Sequence, residues 1–126
     1  MATEILINDG GAPGRILPFI AGSTISAGDP LQLTAADEQV DACTISGSRL
    51  LGVALTAATS GNIVNCISGR GIIVRANCSG TVVAGSELAA NTNGSLSANS
   101  VAKGNSTAIL LEDNTGTGTL SKVLLL

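Results

Sequence analysis

The chain has 126 residues, room for one domain, and 44% of them are apolar, yet it holds one Phe and no Trp or Tyr. Its core must therefore be built from Ile, Leu, Val and Ala, which fill thin layers and leave no deep aromatic pocket. Net charge is −3 and the six cations (Arg15, Arg49, Arg70, Arg75, Lys103, Lys122) are scattered, which argues against nucleic-acid binding, since that needs clustered Lys and Arg.

No run of about 18 apolar residues marks a membrane span. The opening MATEILINDGG lacks the basic and long apolar regions of a signal peptide. A small domain with an aliphatic core gains from sharing that core with copies of itself, so self-association is expected.

In chain order, Glu4 to Asn8 is a short apolar run, and Asn8 to Gly14 supplies turn formers. Arg15 to Ile20 is apolar again, but Pro18 removes a ladder donor and limits the run to an edge or an arm. Residues 1–21 read as an extended N-terminal arm lying on a neighbour; the other reading is an edge hairpin of the same domain. A single β domain, 22–126, follows. Thr24-Ile25 leads into the turn Ser26 to Pro30, then Leu31 to Leu33 alternates with period two. Val40 to Ile45 is the next strand. Leu50 to Leu55 is a continuous apolar run around Gly52, suiting a strand buried on both faces or a close backbone approach. Ile63 to Ile67 and Ile72 to Val74 flank Gly69-Arg70-Gly71, which reads as a hairpin turn. Asn91 to Asn105 reads as exposed turns around a minor strand near Leu96, and Asn114 to Thr119 as a flexible loop before a last strand at the C-terminus.

A second pattern overlies this order. Thr24 and Thr81, Gly28 and Gly85, Leu31 and Leu88, and Gly61 and Gly118 are all 57 positions apart. Apolar positions match on the same offset: Ile25 with Val82, Val53 with Leu110, Ile63 with Leu120, Cys66 with Val123 and Ile67 with Leu124. An internal duplication with units 22–79 and 80–126 accounts for this, the opening segment lying outside it. No long stretch keeps helical spacing without Gly, Asn or β-branched interruptions, so the fold class is all-β: a small barrel or sandwich with an extended arm.

Chemistry is poorly provided for. Without His, the usual imidazole base and the Ser-His-Asp arrangement are absent. Cys43, Cys66 and Cys78 form no CxxC pair and sit in apolar contexts, reading as buried small hydrophobes. Ser68-Gly69-Arg70-Gly71 leads into a strand, so it is no phosphate cradle. Glu112-Asp113-Asn114 reads as a surface turn in preference to a weak Ca²⁺ site. The reading is of a protein that is not an enzyme, with no catalytic, metal or cofactor site.

The phrases GSTISAGDPL (Gly22 to Leu31), LLGVAL (Leu50 to Leu55), SGNIVNCISG (Ser60 to Gly69) and VVAGSEL (Val82 to Leu88) together resemble the head-decoration, or cement, proteins of tailed bacteriophages. The resemblance implies a compact β domain on the outer surface of the mature capsid, assembled in the host cytoplasm, commonly as homotrimers clamping neighbouring major capsid subunits. It also implies an N-terminal arm that adds a strand to the capsid protein's sheets. That assigns capsid contact to the segment Thr3 to Phe19, with Ile5, Ile7, Arg15, Ile16 and Phe19 as candidates. Two other readings are a head-fibre or minor capsid subunit and a host-surface glycan-binding module, the latter lacking its usual aromatic platform.

Overall fold

The computed structural model describes residues 5–8, 15–43, 50–91, 94–98, 106–116 and 119–126. These form eleven strands and, among the described residues, no helix. The strands are β1 (Leu6–Asn8), β2 (Arg15–Ala21), β3 (Pro30–Leu33), β4 (Gln39–Ala42), β5 (Gly52–Ala54) and β6 (Ile63–Ser68). They continue with β7 (Ile73–Cys78), β8 (Glu87–Ala90), β9 (Leu96–Ala98), β10 (Ala108–Leu110) and β11 (Thr119–Leu125). β2-β4-β3-β5-β6 form a closed barrel, and β1-β7-β11-β10-β8-β9 form a second sheet. In that second sheet a parallel pair, Cys78 with Leu96, joins β7 to β9 and closes five strands into a ring, leaving β1 outside on β7.

The two closed sheets are copies of each other. In each, the first strand runs parallel to the third and antiparallel to the fifth: β2 with β4 and β6, β7 with β9 and β11. Registers coincide: Ile16 with Ile67 repeats as Ile73 with Leu124, and Ile20 with Ile63 repeats as Asn77 with Leu120. The offset is 57 for β2, β3 and β6 but 56 for β4 and β5, because Leu33 pairs with Val40 where Ala90 pairs with Leu96. The first copy's turn is one residue longer. Its left-handed residue Glu38 (φ 52°) corresponds to Gly94 (φ 78°), and the isolated bridge Ile25 with Ala58 repeats as Val82 with Asn114.

Expectations change at several places. Residues 15–21, expected in an arm, form the first strand of the barrel and the counterpart of β7, so they belong inside the repeat. Alternation places Phe19 and Ala21 on the face of Val64 and Cys66, and burying that face draws the segment in despite Pro18. Gly69-Arg70-Gly71 is a turn, with Gly71 at φ 81°, but it is not a hairpin: β6 pairs with β2 and β5, β7 with β1, β9 and β11. It is the link between the two units. Val53 matches Ile109 and Ala54 matches Leu110, one place from the gapless pairing.

Each ring is filled along these equivalences. Leu31, Val40, Ala54 and Cys66 of the first correspond to Leu88, Leu96, Leu110 and Val123 of the second, all fully buried. Cys78 stands where the first copy has Ala21, and Cys66 where the second has Val123, so these two cysteines occupy positions that a small hydrophobe also fills. Gly52 is the close approach foreseen: a Cβ there would overlap the Ile67 carbonyl and lie 2.7 Å from Cys66 Sγ. Asn114, expected in a flexible loop, is buried. Its Nδ2 donates to Gly80 O (2.6 Å) and Gly116 O (2.8 Å), and its Oδ1 accepts from Ser121 Oγ at 2.9 Å. This hydrogen-bonded Asn114–Ser121 pair replaces the apolar Ala58–Val64 pair of the first copy, and its partners make burial tolerable.

Candidate interaction surface

The ribbon formed by β2 and β6 has one face inside the barrel and one outside. Inside lie Ala21, Val64 and Cys66, with Phe19 partly buried against them. Outside, Ile16, Pro18 and Ile20 alternate along β2, and Ile20 sits opposite Ile63 on β6. Ile16 is 52% exposed, Ile63 60% and Ile20 36%. A strip of β-branched side chains on the solvent face of a strand pair is costly to leave in water and marks a surface that associates. Beside it an open groove of about 430 Å³ runs past Thr24, Ser26, Ala57, Thr59, Asn62 and Ile63.

The main chain of β2 is open as well. Ile20 N–H donates to Glu38 O and Gly22 N–H to Val40 O, so the even-numbered residues of β2 direct their backbone groups away from β6. Among the described residues, Arg15–Phe19 pairs only on the β6 side. On that open edge Ile16 keeps both backbone groups, whereas Pro18 offers only a carbonyl.

The five candidate contact residues separate. Arg15 and Ile16 are exposed on β2, opposite Ser68 and Ile67. Phe19, on the other face of the same strand, is a barrel residue. Ile5 is buried in the core of the second unit, and its carbonyl accepts from Arg75 N–H at 2.8 Å. It is committed to its own chain. Ile7 lies in β1, but its side chain is outside the described residues. Ile20 and Ile63 were not singled out from sequence. Period-two alternation placed them opposite buried neighbours on their strands, but which face is solvated depends on the pairing of distant strands.

Among the described residues, burial governs the titratable groups that shift. Burial pushes the thiols of Cys66 and Cys78 up to about 11, Cys78 helped by the nearby Glu112 charge. Cys43 is raised by burial too, and its Sγ donates to Ser95 O at 3.4 Å. Thiols held protonated are poor nucleophiles. In the turn 112–114, Glu112 Oε1 accepts from Lys122 N–H (3.0 Å) and faces Arg75 (3.9 Å), while Asp113 Oδ1 accepts from Ala84 N–H (2.8 Å). These carboxylates bracket turns. Among the described residues no cluster of His, Cys, Asp and Glu could hold a metal ion.

No protein-family profile matches the chain, and no curated protein matches its sequence. Among solved structures, it is similar to the N base of head fiber gp8.5 of bacteriophage phi29. The superposition has a TM-score of 0.73 and covers 90% of this chain and 95% of that one, at 12% sequence identity. At that identity the likeness is one of fold.

Proposed function

We propose that this chain is a structural protein of a tailed-bacteriophage head, held on the outer surface of the mature shell. There, as a trimer, it clamps neighbouring major capsid subunits. The observation that carries the reading is the shared fold with a phage head fiber base over nearly the whole of both chains. The resemblance of Gly22 to Leu31, Leu50 to Leu55 and Ser60 to Gly69 to capsid cement proteins supports it. Contact with the shell falls on the open edge of β2, at Arg15 and Ile16, where a strand of the capsid protein can add to the barrel. Many weak, identical contacts repeated over a lattice give high avidity without any pocket or cofactor.

The phi29 neighbour favours a second reading, in which the same double unit is the base of a head fibre. Copy number separates the two. Purified protein is co-sedimented with expanded, undecorated head shells of the source phage. Saturation near one copy per capsid subunit establishes cement, and saturation at a few copies per shell establishes a fibre base. No binding by folded protein to intact shells overturns both.

A further inference from the structure

The two units of the chain are packed head to tail, and the surfaces this arrangement leaves at either end are complementary. The turn Ala27–Asp29 of the first unit seats on the β7–β11 face of the second. Asn77 N–H donates to Gly28 O at 2.8 Å and Asn77 Nδ2 to Asp29 Oδ1 at 3.4 Å, while Gly28 lies against the Leu120 side chain. Val53, Ile67 and Leu55 of the first unit pack into the same junction.

Carried through the repeat, the receiving residues Arg75, Asn77 and Leu120 become Pro18, Ile20 and Ile63, the exposed strip of the first unit. The inserted residues Gly28, Val53, Leu55 and Ile67 become Gly85, Ile109, Leu111 and Leu124. Gly28, Val53 and Ile67 are buried, whereas Gly85 is exposed with open space where a Cβ would point, Leu111 is 42% exposed, and Ile109 and Leu124 are only partly buried. Each end is thus an apolar half of a junction whose other half the chain makes internally. Gly85 keeps the left-handed turn (φ 89°) that Gly28 (φ 92°) uses to approach Leu120.

We infer that a second copy of this chain seats its Ala84–Ser86 turn, with Leu111, on the Ile20–Ile63 strip of the first copy, repeating between molecules the junction that joins the two units within one. Two differences make the outer contact smaller and more apolar than the inner one. Ile20 N–H is already bonded to Glu38 O, so the backbone bond of Asn77 is not repeated. β1, which brings Ile5 to the inner junction, has no counterpart on the first unit among the described residues. The contact is heterologous, so repetition makes a ring if the rotation closes, and the trimer proposed above is such a ring.

The test uses the full chain in free solution. Sedimentation velocity should show wild-type protein as an oligomer, and Ile63→Asp and Leu111→Asp should each reduce it to monomer with an unchanged circular-dichroism spectrum. A chain carrying Ile63→Cys, mixed under oxidising conditions with one carrying Ala84→Cys, should give a disulfide-linked pair, while each alone gives none. The cysteine pair decides the matter if an aspartate variant fails to fold. A wild-type monomer at the highest concentration reached overturns the inference, as does cross-linking of Ile63→Cys with itself. The inference rests on the proposed function only for the trimer. A monomer that still binds head shells removes this interface and leaves that function, and the cross-linked oligomer that ignores shells does the reverse.

Discussion

Gly28 rests on Leu120 so closely that a Cβ at position 28 would overlap Leu120 Cδ2, and this contact locks the first unit of the chain onto the second. The equivalent glycine of the second unit, Gly85, has the same left-handed backbone and open space around it. The pair therefore separates backbone strain from packing.

Gly85→Ala should cost only the left-handed penalty, roughly 1–2 kcal/mol. Gly28→Ala should cost about 1–3 kcal/mol more, since Leu120 and the backbone around it must also shift. Urea denaturation of dilute protein measures both. Equal costs would show that the junction is soft.

Ile5 and Ile16 were grouped as contact residues, and the structure divides them. Ile5→Ala empties a core position and should destabilise the fold by about 2–5 kcal/mol. Ile16→Ala, on the solvent face, should stay within about 0.5 kcal/mol of wild type. Thermal melts of the two variants check this, and deletion of residues 1–8 should resemble Ile5→Ala.

Shell binding should respond to the residues that stability ignores. Ile16→Asp and Arg15→Glu are expected to weaken co-sedimentation with head shells by about tenfold, roughly 1.4 kcal/mol, with an unchanged melting temperature. Binding at wild-type strength would move the shell contact off β2.

Asp29 links charge to this junction. Burial raises its carboxyl pKa, partly offset by hydrogen bonds from Ser26 N–H and Asn77 Nδ2. Because the folded pKa lies above the unfolded one, the contribution to stability is fully present below the unfolded pKa, about 3.9. It is lost as pH rises through the folded value. Asp29→Asn should flatten this part of the stability–pH curve, measured by denaturation from pH 3 upward (on the order of one titration range).

The thiols supply a second pH signature. With Cys66 and Cys78 raised to about 11, stability should fall as pH climbs from the unfolded value near 9 towards 11. All three cysteines are buried, so a thiol reagent at neutral pH should label native protein slowly and all three sites after denaturation. Rapid native labelling would mean that the barrels open readily.

How much of this was legible beforehand follows from what is local. Alternation, turn residues and the lack of any helical period are properties of neighbours along the chain, and they placed strands at Leu31–Leu33, Ile63–Ile67 and Leu96 close to where they lie. That the chain has no His and three separate cysteines is read from its inventory alone. Gly28 and Gly85, 57 residues apart, both hold a left-handed turn, which a glycine signals locally.

Pairing was a different matter. A strand edge presents the same N–H and C=O groups whatever its side chains, so nothing local says that β6 turns back to β2 and leaves β7 to the second unit. For the same reason the opening segment could be read as an arm until the barrel supplied Val64 and Cys66 to cover Ala21 and part of Phe19. The one-residue difference in the turn before β4 and β9 is likewise readable only from the pairings of Leu33 with Val40 and Ala90 with Leu96. The sequence determined what the strands are made of; long-range burial and ring closure decided which strand meets which, and so which isoleucines face water.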